Sequence, residues 1–364
     1  MVDVLGQYYR YQEEIDNAVL EVVRSGKYIN GPYVQRFEKA MQDYLGVRHA
    51  IACASGTDAL QLTLMAIDVK PGDEIITTPF TFAATTETIA LLGATPIYVD
   101  IDPNTFNIDV EQIEEKITSR TRAILPVHLF GQPVNMTRIN EIARKHRLIV
   151  IEDAAQAVGA KWEGKMACSI GDMAAISFYP SKNLGAFGDG GMVTTNDDKL
   201  AHVIRTIANH GSERAYYHDR LGVNSRLDAI QAAILNVKLP YLDEWNATRV
   251  AAAATYSEIF AAHSEHISIP KVDPHAEPIW HQYSIILKKG REPVIAYLKA
   301  AGIPHNIYYP VPLHLQKAYA QGKKGDFPHT EFAAEHILSL PIHSEITSTE
   351  AEFIAGHVLE ALGL

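Results

Sequence analysis

The chain has 364 residues, of which 47% are hydrophobic and 21% are charged. This length exceeds the size at which one hydrophobic core stops growing, so we expect a large and a small domain. The formal net charge of −11 argues against a nucleic-acid partner, which would need a basic surface. Two cysteines, Cys53 and Cys168, are too few for a disulfide framework and fit a reducing compartment.

Neither a membrane span nor a secretory signal is visible in the sequence. No apolar run approaches the ~20 residues that a membrane span needs. The first residues lack a basic region followed by an apolar one. We therefore expect a cytoplasmic protein with no membrane partner.

Apolar runs alternate with helix-length segments along the first 210 residues. Two amphipathic helices are predicted at 13–24 and 33–44, and further helices at 57–69, 82–92, 135–146 and 197–209. Short strands are predicted at 49–54, 74–78, 96–100, 123–127, 148–152, 174–178 and 192–195. This alternation is typical of a mainly parallel sheet covered on both faces. The last two strands are joined by a short turn, so that pair is expected to be antiparallel or to depart from the winding.

The rest of the chain is predicted to be mostly helical. An Ala-rich periodic stretch at 227–263 predicts a long helix that is broken or kinked at Pro240. We place the domain boundary near Trp245, which gives a large domain at 1–245 and a small one at 246–364. In the small domain we predict strands at 285–288 and 307–311 and helices at 291–301, 331–338 and 349–362. The predicted fold class is α/β, with a seven-stranded sheet and a smaller α+β domain.

A lone lysine, Lys182, lies in the turn between the last two predicted strands. Lysine is costly to place between buried strands unless its amine has chemistry to perform. Desolvation there lowers the pKa of the ammonium group and frees the lone pair that attacks carbonyls. The segment predicts a Schiff-base lysine. By itself it leaves an ordinary surface lysine in a connecting loop equally open.

A carboxylate and an amide follow the predicted strand at 148–152. A pyridoxal phosphate (PLP) ring needs an anion that keeps its pyridinium nitrogen protonated, and a hydrogen-bond donor near its phenolic oxygen. Asp153 suits the first task, and Gln156, one helical turn later, suits the second. The alternative for Asp153 is a helix N-cap.

Small residues at the junction after the first predicted strand suit a phosphate. Ser55, Gly56 and Thr57 would let backbone N–H groups and a helix dipole face an anion. The segment is neither a P-loop nor a Gly-x-Gly-x-x-Gly turn. Ser177, just before the lysine turn, could supply a second phosphate ligand through its hydroxyl.

These segments, in this order, resemble the PLP-dependent aminotransferases of fold type I, the aspartate-aminotransferase-like fold. Among them the chain is most similar to the sugar-nucleotide aminotransferases of the DegT/StrS type. The resemblance covers nearly the whole chain and includes the lysine turn. Its other motifs lie at 25–32, 55–60, 79–85, 127–131, 152–156, 222–233, 308–310 and 313–316.

The resemblance implies roles for the cofactor-binding residues. Lys182 would hold the cofactor and shuttle the proton, Asp153 would face the pyridinium nitrogen, and Gln156 would contact the phenolic oxygen. The expected phosphate ligands are Gly56, Thr57 and Ser177. Phe82 would stack on the cofactor face, although without the family a core phenylalanine would be the simpler interpretation. Asn224 would reach the phosphate of the neighbouring subunit, which implies a homodimer with shared active sites.

The resemblance also implies the substrates. L-glutamate would be the amino donor, and a nucleotide-linked keto-sugar the acceptor, with the C3 keto position preferred. The product would serve amino-sugar and polysaccharide (lipopolysaccharide) biosynthesis. The expected lining of the sugar and diphosphate site is Tyr28, Asn30, Arg226, Tyr308, Tyr309 and His314.

Several alternatives stay open. Arg226 could instead form a salt bridge at the dimer seam. The enzyme could aminate C4, or the chain could be a PLP-dependent sugar dehydratase or a regulatory PLP-binding protein. The dehydratases carry a histidine in place of the lysine, which favours transamination here. We predict no metal site, because the sixteen histidines are scattered and no His-Glu-x-x-His or Cys-x-x-Cys pattern occurs. A serine hydrolase is disfavoured because Gly-x-Ser-x-Gly is missing.

Overall fold

The computed structural model describes residues 1–319 and 321–364. Its helices are α1 Val4–Arg10, α2 Gln12–Ser25, α3 Pro32–Leu45, α4 Gly56–Ala66, α5 Ala83–Leu91, α6 Met136–His146, α7 Asp198–Ala208, α8 Ala229–Lys238, α9 Leu242–Ala261, α10 Glu292–Ala300, α11 Pro328–His336 and α12 Ser348–Ala361. Its strands are β1 His49–Cys53, β2 Glu74–Thr77, β3 Thr95–Tyr98, β4 Thr121–Ile124, β5 Ile149–Asp153, β6 Lys161–Trp162, β7 Lys165–Met166, β8 Met173–Ser177, β9 Gly191–Thr195, β10 Ile267–Ser268, β11 Ala276–Glu277, β12 Tyr283–Leu287 and β13 Ile337–Leu340.

The predicted seven-stranded, mainly parallel sheet is confirmed. Its strand order is β1-β9-β8-β5-β4-β2-β3. β9 runs antiparallel to both of its neighbours, whereas the pairs from β8 to β3 are parallel. The lysine segment at 178–190 joins β8 to β9 without a helix, whereas a parallel pair is usually connected by a crossover helix, so the antiparallel direction of β9 fits this connection.

Alternate residues of the central strands face two different layers of helices. Ala174 and Ile176 of β8 belong to a cluster that includes α2, α3 and α8. Met173 and Ala175 of the same strand belong to a second cluster with α4 and α7. Because successive strand side chains point to opposite faces, a strand buried on both faces is apolar throughout. All five residues of β8 are buried, as this geometry requires.

The C-terminal part of the chain builds a separate core. β10, β12 and β13 form a three-stranded antiparallel sheet, against which α9, α10 and α12 pack. The predicted break near Pro240 is confirmed, since a 3₁₀ turn at Leu239–Tyr241 separates α8 from α9. Trp245 packs in the first cluster, while Ala252 and Ala253 of the same helix pack in the C-terminal one. The domain boundary near Trp245 therefore stays a prediction.

Two predictions for the C-terminal part are wrong. Residues 307–311 form no strand, and the nearest pairing is a single bridge between Asn306 and Ser339. Pro310, within that stretch, cannot donate to a ladder. The helix predicted at 331–338 ends at His336, because the apolar run that follows pairs with β12 as strand β13.

Candidate active site

The carboxyl ends of the parallel strands surround a cavity of about 610 Å³. β1, β2, β5 and β8 run in one direction, so the residues that follow them meet at the same edge of the sheet. The C-terminal part closes the cavity from the other side. The lining residues are Ser55, Gly56, Thr57, Leu60, Thr81, Phe82, Ala84, Thr85, Val127, Asp153, Ala155, Gln156, Ser177, Tyr179, Ser181, Lys182, Asp189, Gly190, His281, Gln282, Ile307, Tyr308 and Tyr309.

Lys182 lies in the cavity at the tip of a tightly wound turn. Its backbone N–H donates to Tyr179 O at 2.8 Å. A Cβ atom at Gly185 would lie 2.4 Å from Pro180 O, so the turn requires glycine there. Burial lowers the pKa of the Lys182 amine to about 8, and the nearby Asp153 carboxylate opposes this shift. The alternative of an ordinary surface lysine does not fit this position.

Asp153, at the end of β5, is buried and held by two donors. The Thr85 hydroxyl donates to Oδ2 at 2.8 Å, and Ala155 N–H donates to Oδ1 at 3.2 Å. Since the Thr85 proton is committed to Asp153, the Thr81 hydroxyl donates in turn to Thr85, at 3.0 Å. Burial raises the pKa of Asp153, and the hydrogen bond from Thr85 counteracts that rise. No α-helix begins after Asp153, so the N-cap interpretation is wrong.

The first turn of α4 and Ser177 form a small cradle. Ser55 caps the helix by accepting from Asp58 N–H at 3.0 Å. The N–H groups of Gly56 and Thr57 belong to the first turn, where no carbonyl within the helix can accept them. A Cβ atom at Gly56 would lie 2.6 Å from Ser177 Cβ, so only glycine permits this approach. Two free N–H groups, a hydroxyl and a helix N-terminus suit a phosphate.

Gln156 and Phe82 lie on the cavity walls. Gln156 Oε1 accepts from Phe130 N–H at 2.6 Å, and its Nε2 donates to the Tyr309 hydroxyl at 3.3 Å. Phe82 precedes α5 and is 60% exposed, with its ring centroid 6.5 Å from that of Tyr309. An exposed ring at the mouth of a cavity excludes the interpretation of Phe82 as a core residue, and leaves its face free for a planar ligand.

Glu152, the residue before Asp153 in β5, is buried and accepts four hydrogen bonds. Glu152 Oε1 accepts from the N–H groups of Ile170 at 2.8 Å and Gly171 at 2.7 Å. Its Oε2 accepts from Cys168 N–H at 3.0 Å and from His128 Nε2 at 2.8 Å. This network joins β5 to the chain that leads into β8, and so fixes the two strands that carry Asp153 and the lysine turn.

The comparisons with known proteins agree with this geometry. A sequence model of the DegT/DnrJ/EryC1/StrS aminotransferase family matches residues 10–359. The chain belongs to this family. It is therefore an enzyme, a transaminase of the PLP type.

Two curated relatives and one solved structure resemble the aminotransferase over nearly their whole length. A pleiotropic regulatory protein of Geobacillus stearothermophilus is 47% identical, over 99% of this chain and 97% of that protein. The UDP-2-acetamido-2-deoxy-3-oxo-D-glucuronate aminotransferase of Pseudomonas aeruginosa is 46% identical, over 97% of both chains. The crystal structure of Streptomyces venezuelae DesV in complex with a ketimine intermediate superposes with a TM-score of 0.96. It is 40% identical, over 99% of this chain and 97% of that one.

Five of the predicted residues lie outside the cavity lining of the aminotransferase, and four of the five lie together. Tyr28 and Asn30 are exposed and lie beside the segment that carries Asn224 and Arg226. The two segments are joined by a bridge between Ile29 and the residue at position 228, and by a hydrogen bond from the N–H at position 229 to Tyr28 O. We call residues 28–30 and 224–226 the second patch. Within the described residues Arg226 forms no ion pair, so no carboxylate of this part of the chain binds its side chain.

His314 is not part of the cavity lining of the aminotransferase either. The side chain is fully buried, and its Nε2 lies 3.1 Å from Glu331 Oε1. Its ring packs against Phe327. This placement argues against contact of His314 with a substrate.

Several residues that line the cavity are not predicted as site residues from the sequence. Thr81 and Thr85 lie within the motif at 79–85, but no local sequence pattern indicates their hydrogen bonds to each other and to Asp153. His281 and Gln282 come from the chain just before β12, far from any recognised motif. Burial lowers the pKa of His281 well below its ordinary value, and its Nδ1 lies 3.0 Å from Asn183 Oδ1. The imidazole of His281, which lies beside the Lys182 turn, is therefore neutral.

Over residues 1–319 and 321–364, no three His, Cys, Asp or Glu side chains are grouped as metal ligands. In the same part of the chain, no helix has the length and apolar character to cross a bilayer.

Proposed function

We propose that this aminotransferase holds PLP in the cavity and moves an amino group from L-glutamate to the C3 keto group of a nucleotide-linked sugar. One observation carries the proposal. The Lys182 amine, with a pKa lowered to about 8, shares one cavity with the buried Asp153 carboxylate and with an anion cradle. When bound, PLP supplies an electron sink for the carbanion that forms at the amino donor.

The residues present fit this cofactor at each of its polar groups. Gly56 N–H, Thr57 N–H and the Ser177 hydroxyl would hold the phosphate. Asp153, with Thr85 as its donor, would keep the ring nitrogen protonated, since a carboxylate stabilises the adjacent cation. Gln156 would donate to the phenolic oxygen with the amide group that otherwise contacts Tyr309.

Lys182 and Phe82 complete the set. Near neutral pH, a pKa of about 8 leaves part of the Lys182 population uncharged, so that Nζ can accept a carbon-bound proton and return it. Phe82 would cover one face of the ring with its exposed side chain, and the small Ala155, which also lines the cavity, leaves room on another side. The contact with Phe82 would exclude water from that face of the ring.

The acceptor is proposed from the relatives. The Pseudomonas aeruginosa protein named above carries a 3-oxo sugar in its name, which supports C3 as the position of amination. Tyr308 and Tyr309 line the cavity on the side of the C-terminal part, where the sugar would enter. We propose amino-sugar biosynthesis, such as that of lipopolysaccharide, as the role of the product. The second candidate is a different nucleotide-linked keto-sugar as acceptor. It is supported by the GDP-perosamine synthase of Caulobacter vibrioides, which is 40% identical to this chain and is named for another sugar.

We further propose a homodimer in which the second patch of one subunit completes the cavity of the other. Asn224 would reach the phosphate, and Tyr28, Asn30 and Arg226 the sugar nucleotide. Exposed apolar side chains close to this patch support the proposal, because large solvated hydrophobic residues commonly mark an interface. They include Ile29, Tyr216 and Leu221, which are 52%, 95% and 89% exposed. Two buried free cysteines agree with a cytoplasmic location.

The first experiment tests Lys182. Borohydride treatment of the PLP-loaded enzyme should attach the cofactor to the peptide that carries Lys182, as read by mass spectrometry. The Lys182→Ala variant should lose this label and all amino transfer. Lys165→Ala, a change at an exposed lysine of β7, serves as the control and should keep both. An active Lys182→Ala enzyme would refute the assignment.

The second experiment tests the substrates. Glutamate is added to the PLP-loaded enzyme, and one equivalent of 2-oxoglutarate per cavity is expected. Candidate 3-keto and 4-keto sugar nucleotides are then supplied, and the amino sugar formed is identified by mass. Release of 2-oxoglutarate with no transfer to any of them would contradict the proposed acceptor class, and no release at all would support a regulatory protein instead.

A further inference from the structure

Among the described residues that line the cavity, one fully buried side-chain atom has no hydrogen-bond partner. Gln282 lines the cavity and is only 7% exposed. Its Oε1 atom is buried and accepts no hydrogen bond from any described residue. A buried acceptor without a donor costs free energy, about 1–3 kcal/mol for a neutral group. Such an atom inside a ligand cavity therefore indicates a ligand that donates to it.

Gln282 is held in place by the frame that also holds Gln156. Its backbone N–H donates to Phe130 O at 3.3 Å, and Phe130 N–H donates to Gln156 Oε1 at 2.6 Å. A Cβ atom at Gly131 would lie 2.7 Å from His281 N, so the two segments are in close contact. These contacts fix the backbone at Gln282, and burial of the side chain leaves its amide oxygen in the wall of the cavity.

The cofactor does not need this oxygen. PLP presents a phosphate, a ring nitrogen, a phenolic oxygen and an aldehyde. Each of these has a proposed partner at the α4 cradle, Asp153, Gln156 or Lys182. The oxygen of Gln282 remains for a substrate.

The two proposed substrates, glutamate and the keto-sugar, differ in the hydrogen-bond donors that they can offer to this oxygen. An amide oxygen can only accept a hydrogen bond. Once its nitrogen has reacted, glutamate offers only two carboxylates, which are acceptors as well. A sugar carries hydroxyl groups, and an acetamido sugar also an amide N–H, and both are donors.

We propose that Gln282 is a specificity-determining residue that accepts a hydrogen bond from a hydroxyl or amide N–H of the acceptor sugar. This assignment rests on the proposed function, since it needs a sugar as the second substrate. It also predicts discrimination. A sugar that lacks a donor at that position would leave the oxygen unpaired and should bind less tightly.

Binding is measured by calorimetry on the cofactor-loaded enzyme. The probes are UDP-N-acetylglucosamine and dTDP-glucose, which carry hydroxyls in place of the ketone and cannot be aminated. Gln282→Leu should raise the dissociation constant roughly tenfold, the effect of one neutral hydrogen bond. Gln282→Glu keeps an acceptor oxygen and should regain most of the affinity. Gln112→Leu, a change at a glutamine outside the cavity lining, is the matched control.

The two half-reactions give the second readout. With Gln282→Leu, the KM for the keto-sugar nucleotide should rise roughly tenfold more than the KM for glutamate. If Gln282→Leu binds the sugar nucleotides within twofold of the wild type, or if its KM for glutamate rises more than its KM for the keto-sugar, the role assigned to Gln282 is wrong. The proposed function would not be affected by either result. A wild-type enzyme that binds neither sugar nucleotide and aminates no keto-sugar would overturn the proposed function and this assignment with it.

Discussion

Replacing Glu152 by glutamine tests whether the buried network beneath Asp153 stabilises the large sheet. The carboxylate accepts two hydrogen bonds at each oxygen, and all four partners are donors. His128 cannot exchange its tautomer without cost, because its Nδ1 already accepts from Val134 N–H at 3.2 Å. Whichever way the new amide points, its NH₂ group must therefore face two donors.

The magnitude follows from these bonds. Hydrogen bonds to a charged group contribute about 1.5–3 kcal/mol each. Losing the two at one oxygen should lower the free energy of unfolding by about 3–6 kcal/mol. That loss is a large part of the roughly 5–15 kcal/mol by which folded proteins are stable.

The assay is urea unfolding followed by far-UV circular dichroism and tryptophan fluorescence. Glu152→Gln should shift the midpoint to lower urea without changing the slope. The control is Glu258→Gln, since Glu258 is exposed and makes no ion pair among the described residues, and we expect a change within about 0.5 kcal/mol. A Glu152→Gln protein within about 1 kcal/mol of the wild type would show that the network does not carry this stability.

Three further changes test other buried groups. Burial lowers the pKa of Lys238 from 10.5 to about 7, so the unfolded chain binds more protons between these values, and the stability of the wild type should rise with pH across that window. Urea unfolding at pH 6, 8 and 9.5 should show this rise. The rise should be smaller in Lys238→Met, where the Lys182 amine, whose pKa is also lowered by burial, still contributes with the same sign; parallel curves for the two proteins would contradict the role of Lys238. Gly56→Ala, whose new Cβ would crowd Ser177, should weaken PLP retention at least tenfold in equilibrium dialysis, and unchanged retention would exclude the cradle. Thr85→Val removes the donor that lowers the pKa of Asp153 and should slow 2-oxoglutarate release about tenfold, whereas a rate within twofold would argue against this role.

Much of the fold and part of the site could be predicted because their signals are carried by neighbouring residues. The unbroken apolar runs predict strands buried on both faces. The segment between β8 and β9 has no helical pattern, which favours the antiparallel direction of β9. Lys182, Asp153 and the Ser55–Gly56–Thr57 segment each follow a strand, and strand ends of one direction meet at one edge. The motif at residues 313–316 misled the same reasoning, since it contains a histidine whose side chain turns inward to Glu331.

Other parts of the site depend on contacts between residues far apart in the chain. Thr85 reaches Asp153 across 68 positions, and Gln156 reaches Tyr309 across 153. Gln282 enters the cavity only because the C-terminal part folds back over the ends of the strands. The local pattern determines which face of a strand or helix is apolar and where a turn must form. The donor that meets a given acceptor depends on how the whole chain packs, and no short segment of the sequence contains that information.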